Sequence, residues 1–128
     1  MNAFELLASG GIVAAVAVLL YILSGSPKVG SAILAAALSA GFAAYTAVSI
    51  AQEGVVLVWT NHTQNLWGVQ VWWDLLFAVG IAAFFIAPRA RAAGMNLLPW
   101  LLFVGATASI GLLAMVARLF WLEQRTSA

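Results

Sequence analysis

The segment of residues 30–52 contains no charged residue, and no other feature limits the possible folds of this chain as strongly. At about 1.5 Å per residue, a helix of this length spans the roughly 30 Å hydrocarbon core of a bilayer. The rest of the chain is similar, since 65% of its 128 residues are apolar and 7% are charged. Soluble proteins carry roughly a quarter charged residues. The sequence therefore predicts a protein whose solvent is lipid.

Three further apolar segments have the length and the end signals of transmembrane helices. Pro27 stops the first and Pro88 ends the third, while Asn96 is a predicted cap for the fourth, which has Pro99 in its opening turn. We expect an all-α integral membrane bundle of four transmembrane helices with short connections, forming a single domain over residues 1–128. The predicted helices cover residues 4–23, 30–52, 69–87 and 98–122.

The connection between the second and third predicted helices is apolar at first and then polar. Residues 55–59 either extend the second helix or lie in the membrane interface, and the sequence leaves both interpretations open.

Basic residues predict an orientation for the four spans. Lys28, Arg89 and Arg91 lie in the first and third connections, against Arg118 and Arg125 near the C-terminus. Cytoplasmic connections carry the excess of Lys and Arg. We expect both termini and the loop of residues 53–69 to lie on the non-cytoplasmic side.

Small residues recur at four-residue spacing in several predicted helices. In lipid, such positions let two helix backbones approach closely. The pattern predicts tight packing, either within the chain or against another subunit. The predicted packing residues are Gly10, Ala14, Ala37, Gly41, Gly105, Ser109 and Gly111.

Asp74 and Arg118 are the charged residues that lie deepest inside the predicted helices, since Glu5 is at the very start of the first. A charge inside a bilayer is usually paired or functional. If the last two helices are antiparallel neighbours, both side chains lie at the same depth, about 6 to 8 Å below one surface. The sequence predicts a structural ion pair between them, with a ligand or proton site as the alternative.

Tryptophans concentrate near one predicted membrane surface, where indole rings prefer to lie. The simpler interpretation is an aromatic belt. The alternative is that Trp67, Trp72 and Trp73 form a face that binds a pigment, quinone or lipid.

Several classes of function lack the residues that they require. The net charge of +1 gives no basic surface for nucleic acid, and the chain has no Cys. His62 is the single His, and we expect it in a solvated loop rather than at a metal. No nucleophile motif, phosphate loop or metal motif is present, so we expect neither an enzyme nor a metal site.

The last two predicted helices resemble a known protein family over residues 70–124. The matching stretches are VWWDLL at residues 71–76, PRARAAGM at 88–95, PWL at 99–101, IGLL at 110–113 and LFWLE at 119–123. They are similar to a family of small bacterial membrane proteins known only as a domain of unknown function. The resemblance implies a helical membrane fold in a bacterial inner membrane. It implies no activity.

The leading functional hypothesis is a non-catalytic accessory or scaffolding subunit of a larger membrane complex. Its partners would be the bilayer and either a larger membrane protein or a second copy of the chain, with no cofactor. One alternative is a small homo-oligomeric carrier or channel lined by hydroxyls such as those of Ser39, Thr107 and Ser109. The other is a binding protein for a pigment, quinone or lipid at the Trp-rich face.

Overall fold

The computed structural model describes residues 1–25 and 29–127, and it is helical with no strand over those residues. Pro27 and Lys28, which contributed a helix end and a positive charge to the predictions above, lie outside them. The described helices are α1 (Ala3–Ser24), α2 (Ala32–Glu53), α3 (Val56–Asn61), α4 (Leu66–Ala92), α5 (Leu97–Thr107) and α6 (Ser109–Ser127).

Three of these helices, α1, α2 and α4, are long and apolar enough to cross a membrane. This agrees with a membrane protein. The chain divides into two compact units, Met1–Gly30 and Ser31–Ala128, which are described separately.

The first unit contains α1, whose start is fixed by local hydrogen bonds. The side chain of Asn2 accepts from the Glu5 N–H, and the Asn2 N–H donates to the Glu5 carboxylate, each at 2.8 Å. This reciprocal pair satisfies two donors that a helix start leaves free. Gly10 and Ala14, two of the predicted packing residues, are exposed.

In the second unit, α2 begins at a serine cap and ends at a glycine. The Ser31 hydroxyl accepts from the Leu34 N–H at 3.1 Å. Gly54 has a φ of +79°, which side chains disfavour, and the backbone turns there. Residues 55–59 therefore do not extend α2. They contribute to α3, a separate helix of 6 residues.

Helix α4 is longer at both ends than the predicted third helix. Its start is capped by Asn65, whose side chain accepts from the Gly68 N–H at 2.7 Å. The helix continues through Pro88 to Ala92, so the predicted end at residue 87 needs correction. A proline inside an apolar helix is tolerated where neighbouring groups satisfy the freed backbone. Arg89 and Arg91 lie in the last turn, where the helix dipole favours positive charge.

The predicted fourth helix over residues 98–122 is divided in two. Asn96 caps α5 as expected, accepting from the Leu98 N–H at 3.4 Å. The break is at Ala108, which has φ 54° and ψ −112°. Beside it, the Thr107 hydroxyl donates to the Phe103 carbonyl and accepts from the Gly111 N–H, each at 2.8 Å. One side chain therefore bonds to both helices at the break.

Helices α5 and α6 fold back on each other, and we call them the α5–α6 hairpin. Val104 of α5 is buried in one cluster with Met115 and Leu119 of α6. Near the other end of α6, Glu123 forms an ion pair with Arg89 in the last turn of α4, at 2.6 Å. The start of α5 and the end of α6, which form the open end of the hairpin, therefore both lie beside the C-terminal end of α4. With 11 residues, α5 is only about 16 Å long, too short to cross a bilayer.

The main buried cluster lies between the hairpin and the C-terminal half of α4, and a second contact joins α6 to α2. Ala35 and Ser39 are the buried residues of α2. The Ser39 hydroxyl donates to the Ile110 carbonyl at 2.8 Å, which places the first turn of α6 beside the first half of α2. The main cluster contains Ala90, Met95, Val104, Met115 and Leu119.

Small residues do support close packing, but at other positions than most of those predicted. A Cβ at Gly111 would stand 2.7 Å from the Phe103 carbonyl oxygen, and Ser109 is half-buried at the hairpin turn. Gly41 and Gly105 have no heavy atom within 4 Å of such a Cβ, and Ala37 is exposed. In α2 the predicted packing face was that of Ala37 and Gly41, whereas the face that packs contains Ala35 and Ser39.

We expect Gly111→Ala to destabilise the protein by about 1–3 kcal/mol, because the added methyl group would collide with the backbone of α5. Gly105→Ala is the matched control, since its methyl group enters open space and alanine favours a helix. Denaturant unfolding of the purified protein in detergent measures both. Equal effects of the two substitutions would contradict the close approach at Gly111.

We expect Ala108→Gly to stabilise the protein by about 1 kcal/mol, because glycine adopts a φ of 54° without the strain of an alanine. In a continuous helix the same change would destabilise by about 1 kcal/mol. Ala106→Gly is the control, because Ala106 lies two residues earlier, within α5. This substitution should destabilise the protein by about 1 kcal/mol. The same unfolding measurement decides the sign, and destabilisation by Ala108→Gly would indicate an unbroken helix.

Candidate functional site

A cavity of about 710 Å³ lies beyond the turn of the α5–α6 hairpin. It exists because the hairpin reverses beside Ser39 of α2, so no helix fills the space between the second half of α2 and the first half of α4. Residues 105–110 close one end, and α3 lies at the other. The walls are formed by Phe42, Thr46, Ser49, Ile50 and Glu53 of α2, and by Trp72, Leu75 and Leu76 of α4.

The surface of the cavity is mostly apolar and partly open, since Phe42 and Ile50 in its walls are 45% and 46% exposed. The polar residues of its lining are Thr46, Ser49, Glu53, Asn61, His62, Thr107 and Ser109. The volume of the cavity lies in the range of about 300–1,000 Å³ that is typical of small-molecule sites. The hydroxyls of Thr46 and Ser49 donate to carbonyls of their own helix, those of Phe42 and Tyr45, at 2.8 and 3.0 Å. Such bonds are usual for hydroxyls in apolar helices.

Three rings meet at the end of the cavity where α3 lies. The indoles of Trp59 and Trp72 are in edge-to-face contact, with centroids 6.2 Å apart. The imidazole of His62 lies 5.6 Å from the ring of Trp72. Edge-to-face contacts of this kind stabilise by roughly 0.5–1.5 kcal/mol beyond the area that they bury. We call Trp59, His62 and Trp72 the ring cluster.

A hydrogen bond fixes the tautomer of His62. Its Nδ1 lies 2.6 Å from the Val58 carbonyl oxygen, which can only accept, so Nδ1 carries a proton. In the neutral ring, Nε2 is then the acceptor. His62 is one of the residues that line the cavity, and Nε2 of its neutral ring can accept a hydrogen bond from a hydroxyl group.

The backbone around α3 brings the ring cluster together. Gly68, in the first turn of α4, has no room for a side chain, since a Cβ there would stand 2.7 Å from the Asn61 carbonyl oxygen. This close approach joins the end of α3 to the start of α4. Trp72 lies one turn further along α4, facing Trp59 and His62.

Of the three tryptophans predicted as a ligand face, only Trp72 lines the cavity. Trp67 is 77% exposed, and Trp73 is 55% exposed and contacts Phe77 at a centroid distance of 5.5 Å. The sequence interpretation missed Trp59 as a cavity residue. It placed His62 in a solvated loop, and His62 does lie in the turn between α3 and α4, where it is half-buried. The signal for both was the apolar run that follows Gly54, because a short helix there has residues 59 and 62 on one side.

The structure does not bring Asp74 and Arg118 together. Asp74 is exposed on α4, while the guanidinium of Arg118 lies 4.6 Å from the ring centroid of Trp121. The expected pair assumed antiparallel helices, but α6 runs in the same direction as α4. The Arg89–Glu123 pair aligns the two helices, so Arg118 of α6 lies level with residue 84 of α4. Residue 84 follows Asp74 by ten residues, or roughly 15 Å along the helix axis. Arg89–Glu123 is the ion pair found among the described residues.

No group of three His, Cys, Asp or Glu residues that could hold a metal occurs among the described residues. No family model, curated protein or solved structure matches the chain.

Proposed function

We propose that the protein lies in a membrane and binds a lipid-soluble amphiphile in the cavity beyond the hairpin turn. The observation that supports this most directly is the combination of an apolar space of about 710 Å³ with a ring cluster at one end. An apolar pocket with a few converging polar groups is the usual form of a small-molecule site.

Exposed apolar side chains of α4 support the membrane location. Leu66, Phe84 and Phe85 are 90%, 74% and 70% exposed. Water-soluble monomers rarely present apolar surface over a whole helix, whereas lipid covers it without a penalty. A cavity between α2 and α4 that is partly open is then open to lipid chains. The ligand would enter from the bilayer.

We orient the second unit by its arginines. Arg89, Arg91, Arg118 and Arg125 all belong to the end of the unit where the hairpin returns to α4, and Glu53 belongs to the opposite end. The positive-inside rule places the arginine end in the cytoplasm. In this proposal the loop of residues 53–69 keeps the non-cytoplasmic side that the sequence analysis assigned to it, and the C-terminus is assigned to the cytoplasmic side instead.

The cavity selects for a ligand with two chemically different ends. Phe42, Ile50 and Leu75 offer apolar contact along the walls, which suits an alkyl or isoprenoid chain. At the ring cluster, Nε2 of His62 can accept a hydrogen bond, and the indoles offer ring faces and edges. A hydroxyl-bearing head group, such as that of a quinol or a lipid alcohol, has the matching donor.

An accessory or scaffolding subunit is the second candidate function, and α1 supports it. The first unit is a single apolar helix of 22 residues. A lone apolar helix cannot bury its own surface, and Gly10 and Ala14 give it a face that another helix can approach closely. Stoichiometric recovery of a larger membrane protein with the chain would favour this function.

We expect the protein purified from its native membrane in mild detergent to retain one lipid-soluble compound at near-stoichiometric amounts, identified by mass spectrometry. Trp72→Leu and His62→Ala should each lower this retention about tenfold, because each removes a contact of roughly 1.4 kcal/mol at the ring cluster. Trp73→Leu is the matched control, since Trp73 is the sequence neighbour outside the cavity lining.

Thermal unfolding of each variant checks that it is folded. Equal losses in the Trp72 and Trp73 variants, or a wild-type protein that retains no compound, would contradict binding in the cavity.

A further inference from the structure

Two arginines of α6 lie on the ring of one tryptophan. The Cζ atom of Arg118 is 4.6 Å from the ring centroid of Trp121, and that of Arg125 is 4.5 Å away. The sum of these distances, about 9.1 Å, is the largest separation that the two guanidinium carbons can have. Trp121 is 40% exposed, so its ring is accessible. We call these three residues the Arg–Trp–Arg cluster.

The two positive charges have no carboxylate partner among the described residues. Glu123 lies between Trp121 and Arg125 in sequence, but it accepts two hydrogen bonds from Arg89, at 3.1 and 2.6 Å. Two like charges within about 9 Å repel each other. An anion bound beside the ring, within reach of the guanidiniums, would offset the repulsion and add charge-assisted hydrogen bonds.

The depth of the cluster matches the head groups of a bilayer. The first turn of α6 lies beside Ser39, the eighth of the 22 residues of α2, about 5 Å from the middle of α2 on the side towards which α6 runs. Trp121 follows Ile110 by 11 residues, or about 16 Å along the helix. Since half of the hydrocarbon core is about 15 Å thick, the indole of Trp121 reaches the interface. Tryptophan is enriched at that level.

We propose that Arg118, Trp121 and Arg125 bind the phosphate of an anionic phospholipid. A guanidinium matches two phosphate oxygens at once, and the indole holds both guanidiniums near the head-group level. The site lies at the opposite end of the second unit from the cavity. It is therefore independent of the amphiphile proposed there. By the arginine-based orientation, the lipid belongs to the cytoplasmic leaflet, where anionic lipids attract basic side chains.

The test is native mass spectrometry of the full chain, released from bilayers of equal parts phosphatidylglycerol and phosphatidylcholine. Wild-type protein should retain phosphatidylglycerol in preference to phosphatidylcholine. Arg118→Gln and Arg125→Gln should each lower the retained phosphatidylglycerol about tenfold, because each removes charge-assisted hydrogen bonds to the phosphate in addition to a surface charge. Arg118→Lys should recover only part of the loss, because lysine supplies the charge without the bidentate fork and without the planar contact with the indole.

Arg91→Gln is the matched control, because Arg91 is exposed in the last turn of α4 and its loss changes the charge of the same end equally. It should change retention less than twofold. If the Arg91 and Arg118 variants lost equal amounts of phosphatidylglycerol, the lipid would be held by diffuse attraction and not by a site. If no variant lost any, the proposed site would be contradicted. Inorganic phosphate, added alone at the lipid concentration, should not displace the lipid. Displacement would mean that free phosphate is the ligand.

Discussion

The two hydrogen bonds of the Thr107 hydroxyl hold the chain where it reverses. One joins the end of α5 and the other joins the start of α6, on either side of the strained backbone of Ala108. Because the chain turns back there, Val104 packs against Met115, and the start of α6 reaches Ser39. The buried cluster, the contact with α2 and the direction of α6 all depend on this reversal.

The cavity and the charge distribution follow from the same turn. A complete fourth span would extend between the second half of α2 and the first half of α4, whereas the hairpin leaves that volume open. The reversal also gathers Arg118 and Arg125 at the end of the unit where Arg89 and Arg91 lie. An apolar cavity at one end and unpaired basic side chains at the other are therefore two consequences of one backbone feature.

Features that depend on neighbouring residues were predicted well, and features that depend on distant contacts were not. Apolar length located α1 and α2, and Asn96 was identified as a cap, because these signals are local. Residues 106–109 contain no Gly or Pro, so the reversal at Ala108 carries no turn signature. The expected pairing of Asp74 with Arg118 failed for that reason. Trp72 was identified, but its partners Trp59 and His62 depend on α3.

Cysteine labelling from the two sides of the membrane tests the reversal most directly, because the chain contains no cysteine of its own. Single cysteines replace Gln64 in the loop before α4, Ala92 at the end of α4 and Thr126 near the end of α6. An impermeant reagent applied to sealed vesicles of one orientation should label the Ala92 and Thr126 variants from one side and the Gln64 variant from the other. Labelling of Thr126→Cys from the same side as Gln64→Cys would show that residues 97–127 cross the membrane and that the hairpin does not form.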